Sequence, residues 1–396
     1  MDVGRICSDL VRIKSENPPG DTAEVITYLS DLLETCGIRG RITRNRDGHW
    51  NLFTDNPAHS LLMCGHLDVV PALRDDWTRD PFGGDEEEGY IWGRGATDMK
   101  GGVACILAAI ARIVEAGEDP GINLALVCDE ETGGEFGIRY LIAKNLLTPC
   151  ECIIAEPTPP FHPLNGQKGL CQLTVHFKGE PGHGSLYPHV GTNAIMEAYS
   201  LLEYLMDLNS REFQPEGEMK EVIETSSHVL EDIYGIEGIN KVLRKITFNP
   251  GRIEGGEKAN IIAQQCTLEL DMRIPWGCDP HRLVADLAAR APRARIEPVN
   301  MAAPSFTPRS APVVTVTCEE IERFYGSLAS PIVQWAASDA RYLRKAGFNV
   351  VEYGPGEIQT LHGIDERVSR RNLENVTEIY TGIIRRFTKI DPVHSR

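Results

Sequence analysis

The spacing of apolar residues predicts helix from Asp9 to Ile13, a break at Asn17-Pro18-Pro19-Gly20, and a second helix capped by Asp21 or Thr22 and ending at Gly37. Three short apolar runs follow, at Leu61 to Cys64, Ile122 to Cys128 and Cys152 to Ala155. Between the first two, Gly102 to Ala116 reads as a helix that stops at Gly117. Apolar strands alternating with helices predict an α/β layer with a mixed, mostly parallel sheet flanked by helices.

The pattern changes near Gly169. Leu173, Val175 and Phe177 alternate with Gln172, Thr174 and His176, as in a strand with one face exposed. Beyond it come a helix from about Asn193 to Leu208 and a charged helical stretch from roughly Glu216 to Arg244. Strand-like runs at Lys245 to Phe248 and Cys266 to Ile274 precede a helix over Pro280 to Ala289. This mixture predicts a smaller α+β domain inserted into the first, and α/β character returns from about Ala302. The expected boundaries are 1–168, 169–300 and 301–396, with no internal repeat.

A length of 396 residues exceeds one ordinary core and fits two domains. The formal net charge of −17 argues against a nucleic-acid partner, which needs a basic face. No apolar stretch reaches the roughly 18 residues of a membrane span, and the start of the chain has no signal-peptide pattern. Eleven cysteines without a C-x-x-C pair fit reduced thiols in a cytoplasmic protein.

Chemistry concentrates where the apolar runs end. His66 and Asp68 follow the first run, Glu130 and Glu131 the second, and Glu156 the third. Open α/β sheets bind ligands at the carboxyl ends of their strands, so these positions converge on one crevice. An imidazole that binds metal usually gives its other N–H to an acceptor, and Asp68 is placed for that. Asp98 lies in Gly93-Arg94-Gly95-Ala96-Thr97-Asp98-Met99-Lys100-Gly101-Gly102, where four glycines permit tight turns. A phosphate loop is the other reading of that stretch, but its spacing is wrong and Asp98 would repel phosphate.

Adjacent carboxylates at Glu130 and Glu131 repel each other, which argues against an idle pair; in the metal reading one binds metal and the other, unliganded, takes a proton from the metal-bound water. An acidic surface turn would give the same pair. The whole set decides between them: His66, Asp98, Glu131, Glu156 and a downstream His362 supply one shared carboxylate, plus a histidine and a carboxylate for each of two metals. Zinc suits such donors, with cobalt or manganese as substitutes.

These motifs resemble the acetylornithine deacetylase, succinyl-diaminopimelate desuccinylase, aminoacylase and carboxypeptidase G family of dizinc hydrolases. The resemblance rests on Gly65-His66-Leu67-Asp68-Val69-Val70-Pro71, the Asp98 segment, Asp129-Glu130-Glu131 and Glu156-Pro157-Thr158. Gly182-His183-Gly184-Ser185, Gly191-Thr192-Asn193-Ala194, Asp271-Met272-Arg273 and His362 extend it over nearly the whole chain. It implies that His66 and Glu156 bind one metal, Glu131 and His362 the other, and that Asp98 bridges. Glu130 would be general base toward a metal-bridging water, and Asp68 would orient His66. The inserted domain would be a lid and dimerisation domain between the two parts of a catalytic domain. There, His183 would stabilise the oxyanion, often in the partner's site, while Asn260 and Arg273 would hold a substrate carboxylate.

The activity so implied is hydrolysis of the amide of an N-acyl amino acid, with carboxypeptidase or dipeptidase action on a short peptide as the alternative. By the same resemblance, a glutamate at position 156 favours deacylase or carboxypeptidase over aminopeptidase. A dinuclear phosphoesterase and a metal-free scaffold are the readings outside this class. A homodimer formed through the lid is the expected assembly. His49, His59, His162, His176, His228, His281 and His394 lack ligand context and read as surface or structural, whereas His189 lies close enough to His183 to reach substrate. The charged stretch 212–244 is longer than the simplest family lids carry and reads as an extra surface hairpin.

Overall fold

Strands buried on both faces carry nearly continuous apolar side chains, and the three early runs obey this rule. A computed structural model describes residues 1–46 and 48–389. Leu61–His66 and Asn123–Val127 are buried throughout, and Glu151–Ile154 is buried after its first residue. Leu61–His66 runs parallel to both neighbours, and Asn349–Glu352 adds a fourth parallel strand beside Glu151–Ile154. The hairpin of Arg41–Arg46 and His49–Phe53 closes one side antiparallel.

The helix Gly101–Glu115 buries every residue from Gly101 to Ala111, as a helix apolar on all sides must. Helices Val3–Arg12 and Arg370–Thr388 pack on it. Lys100, fully buried, donates to the carbonyls of Leu10 at 3.0 Å and Ile13 at 2.7 Å. The ammonium thereby satisfies acceptors at the end of the first helix. These elements belong to the first of two units: Met1–Asn165, Phe306–Pro331 and Ser338–Arg396.

The second unit comprises Gly166–Ser305 and Ile332–Ala337. Its sheet is antiparallel, in the order Thr247–Gly255, Gln265–Ile274, Gly169–Lys178, Ala294–Ala302. Cys171, Leu173, Val175 and Phe177 form its buried face together with Leu268, Leu270 and Met272, and helices Ala194–Ser210 and Pro280–Arg290 pack there. Asn193 caps the first of these helices by accepting from the N–H groups of Ile195 and Met196.

Three expectations from the sequence need correction. The segment Ile332–Ala337, read as part of 301–396, belongs to the second unit. Val333 donates its N–H to Ser226 Oγ at 2.9 Å and joins a small core with Met219, Val222, Ile223 and Leu230. That core makes the 212–244 stretch more than a surface hairpin, because helix Glu218–Tyr234 buries one full face in it. The strand expected to stop at Phe248 continues to Gly255. Its register shifts between Pro250 and Arg252 and its outer half is exposed, so no alternation marks it.

The start of helix Gly101–Glu115 meets the end of strand Glu151–Ile154 without room for a side chain. A Cβ on Gly102 would lie 2.1 Å from the Ala155 carbonyl oxygen. Gly102→Ala is expected to lower stability by about 1–3 kcal/mol, the usual cost of overpacking, in urea denaturation of the metal-free protein. An unchanged midpoint would show that the contact relaxes freely.

Candidate metal centre

Strand ends set the positions of the donor atoms. His66 is the last residue of its strand, Glu156 follows Glu151–Ile154, and Glu130 and Glu131 follow Asn123–Val127. The turn into Glu130 requires Asp129 at φ 68°, in the left-handed region that disfavours most side chains. Local hydrogen bonds offset that cost. The Asp129 carboxylate accepts from the Phe136 N–H at 2.9 Å, from Thr132 Oγ1, and from Asn17 Nδ2 at 3.3 Å. His362 also has a left-handed backbone, at φ 55°.

Asp98 stands between two histidines. Its Oδ1 is 3.1 Å from His66 Nε2, and its Oδ2 is 3.1 Å from His362 Nε2. Glu156 Oε1 lies 3.9 Å from His66 Nε2, and Glu131 Oε2 lies 3.4 Å from His362 Nε2. Two triads result, His66–Asp98–Glu156 and Asp98–Glu131–His362, each with its donor atoms within 4.8 Å of one another. All five ligand candidates named from the sequence meet here, with Glu130 beside them in the chain.

Asp68 is present but acts differently from the expectation. His66 Nδ1 donates to the backbone carbonyl of Asp68 at 2.9 Å, while the nearer carboxylate oxygen is 3.7 Å away. That bond leaves Nε2 as the nitrogen facing Asp98. The Asp68 carboxylate instead accepts from the N–H groups of Glu130 and Glu131, both at 3.1 Å, and from Asn17 Nδ2 at 2.9 Å. It fixes the loop that carries the glutamates. Asn17 escaped the sequence reading, because its position after a helix and before two prolines signals a turn and not a buried bridge between distant carboxylates.

The electrostatics call for cations. Burial raises the Glu130 carboxyl well above the ordinary range against the pull of His66, and Asp339 and Glu131 add to the rise. Burial likewise raises Glu131 and Glu156. Asp98 moves the other way despite burial, because both histidines donate to it. His362 is raised to about 10 by its hydrogen bonds to Asp98 and Glu131. Glu131 Oε1 is buried without a hydrogen-bond partner among the described residues. A carboxylate oxygen in that state, beside imidazole nitrogens and a shared aspartate, fits a divalent cation in each triad.

Three candidates belong to the second unit. His183 Nδ1 accepts from the Ser185 N–H at 3.3 Å, which puts the ring proton on Nε2. The Gly184 N–H donates to the Asn260 carbonyl at 2.9 Å, and His183 bridges antiparallel to Ile261, so the segments of His183 and Asn260 lie side by side. Arg273 is engaged: Nε and Nη2 donate to Asp271 at 2.8 and 3.2 Å. Among the remaining histidines, His49 packs edge-on against Phe136, His162 bonds the Ser330 carbonyl and His176 pairs with Glu297. His394 lies outside the described residues.

The chain is similar to known proteins along most of its length. The model of peptidase family M20/M25/M40 matches residues 62–386. An acetylornithine deacetylase of Edwardsiella ictaluri (strain 93-146) is 30% identical over 379 residues, covering 92% of this chain and 90% of that protein. The M20 family metallo-carboxypeptidase Sso-CP2 from Sulfolobus solfataricus superimposes with a TM-score of 0.80 at 19% identity, over 98% of this chain and 99% of that one. Human carnosine dipeptidase 1 gives 0.74 at 16% identity, over 98% and 96%.

Asp68→Asn keeps the shape of the side chain but halves its acceptors and sets an NH2 group toward donors. It is expected to destabilise the metal-free protein by about 1.5–3 kcal/mol, the range for hydrogen bonds to a charged group. Differential scanning calorimetry reads the change, and an unaltered melt would refute the role of Asp68 as anchor of the glutamate loop.

Proposed function

The chain belongs to peptidase family M20/M25/M40 and is an amide-cleaving hydrolase; from that premise we propose that it removes the acyl group from an N-acyl amino acid. The observation that carries the proposal is the pair of triads sharing Asp98, with an unshared carboxylate, Glu130, next to Glu131. The 30% identity to an acetylornithine deacetylase over 92% of the chain supports this substrate class. Cleavage of a dipeptide, or of the C-terminal residue of a short peptide, breaks the same bond and is the second reading.

In this reading His66 and Glu156 would hold one divalent ion and Glu131 and His362 the other, with Asp98 common to both sets. Zinc is the ion that best suits the donors, with cobalt or manganese able to replace it. Divalent ions held there would supply Lewis acidity at the scissile carbonyl and the attacking water. Glu130 does the proton work. A carboxylate next to the ligands but not itself one of them can take a proton from water and return it to the leaving nitrogen. His183 would offer its Nε2–H to the developing oxyanion. Arg273 and Asn260 would receive the substrate carboxylate.

Two further features belong to the proposal. A homodimer through the second unit is supported by Ile195, Met196, Tyr199 and Met206, large apolar side chains exposed along one helix. A cytoplasmic setting is supported by eleven cysteines, none of them in a disulfide. Among the described residues no helix is long and apolar enough to cross a membrane.

The decisive assay offers acetyl-, succinyl- and formyl-amino acids, dipeptides and phosphate esters to the protein loaded with zinc, cobalt or manganese. Acyl amino acids are expected to turn over fastest, and preferred cleavage of dipeptides would favour the second reading. Glu130→Ala should keep its metal content by elemental analysis while turnover falls at least about a hundredfold, the scale of general acid–base catalysis. Near-normal turnover would remove Glu130 from its role.

Tyr199→Glu with Met206→Glu is expected to convert the dimer into a monomer in sedimentation equilibrium. A wild-type protein that sediments as a monomer would exclude that assembly.

A further inference from the structure

Glu366 is fully buried, in the chain just beyond His362. Its Oε1 accepts from three backbone N–H groups: Gly95 at 3.1 Å, Thr97 at 2.9 Å and Asp98 at 3.0 Å. Its Oε2 pairs with Arg94 Nη1 at 2.6 Å. Arg94, also buried, returns through Nη2 to the carbonyl of His362 at 3.4 Å. One carboxylate therefore grips the main chain leading into Asp98, and its guanidinium partner touches the turn that carries His362.

The local backbone explains the need for such a grip. Gly93 and Gly95 both have positive φ, at 144° and 85°. These turns aim successive N–H groups inward, an arrangement that binds an anion. Thr97 Oγ1 ties this glycine-rich loop to the Arg367 carbonyl at 2.6 Å, and the group that fills the concavity holds its N–H groups. An ion pair between Arg94 and Glu366 would need only one carboxylate oxygen. The other collects the N–H groups next to the one residue common to both triads.

We propose that Glu366, supported by Arg94, is a positioning residue that presents the Asp98 carboxylate to both metal positions at once. The proposal rests on the two-ion reading of the site. It makes the second half of the centre depend on the first through the main chain: the clamp links the shared aspartate to the loop of His362, a ligand of only one triad.

The test compares wild type with Glu366→Gln, which keeps the shape and an acceptor oxygen but removes the charge. Two readings are taken on protein with native circular dichroism and a cooperative melt. Zinc affinity, by chelator competition, is expected to fall about tenfold to a hundredfold, the usual effect of disturbing a residue behind the ligands. Hydrogen exchange of the metal-free protein is expected to quicken at least about tenfold in the 95–98 segment, with the second unit unchanged.

Wild-type zinc affinity and unchanged exchange in folded Glu366→Gln would overturn the proposal. If that variant does not melt cooperatively, Glu366→Asp decides by the same two readings. It keeps the charge beside Arg94 but shortens the reach to the three N–H groups. A wild-type protein that takes up no divalent ion would fail the two-ion reading instead, and the exchange measurement, made without metal, would still judge the grip of Glu366 on the loop.

Discussion

Repulsion among Asp98, Glu130, Glu131 and Glu156 is the constraint around which the first unit is arranged. Two imidazoles offset part of that charge, and only cations can offset the rest without neutralising the carboxyls. A chain cannot hold such a group in place with the charged side chains alone. The burden passes to the main chain, fixed by further buried carboxylates. Asp68 accepts the N–H groups of Glu130 and Glu131, and Glu366 accepts those around Asp98. Negative charge is thus restrained by more negative charge, each outer carboxylate stabilised by N–H donors and, for Glu366, by Arg94.

This layering explains which parts of the site could be read from the residues. His66, Glu131 and Glu156 end strands whose apolar runs are visible, and Asp98 sits in a glycine-rich stretch that precedes a helix. Such residues announce themselves locally. Asn17 and Glu366 do not, since their partners lie far away in the chain and appear only once strands and loops are assembled. Asp68 was legible as a neighbour of His66 but not as an anchor for Glu130, because a two-residue spacing suggests the nearer partner. Fold elements divide similarly. Buried parallel strands are continuous apolar runs, whereas the outer half of Thr247–Gly255 and the segment Ile332–Ala337 owe their places to pairing and to a small side core.

The second unit holds its candidate groups in a less committed state. His183 has its Nδ1 occupied by a backbone N–H and keeps Nε2 for donation. Arg273 already has a carboxylate partner in Asp271.

The order of the ligands along the chain also matters during synthesis. His66, Asp98 and Glu156 all precede the inserted unit, while His362 follows it. Growing from its N-terminus, the polypeptide has one complete triad before the second unit exists, and Glu131 waits for its histidine until nearly the last residues are made. Glu366 arrives with that histidine. In the proposed reading of the site, a chain that stops before residue 362 lacks both the histidine of one triad and Glu366, the carboxylate that holds the Asp98 loop.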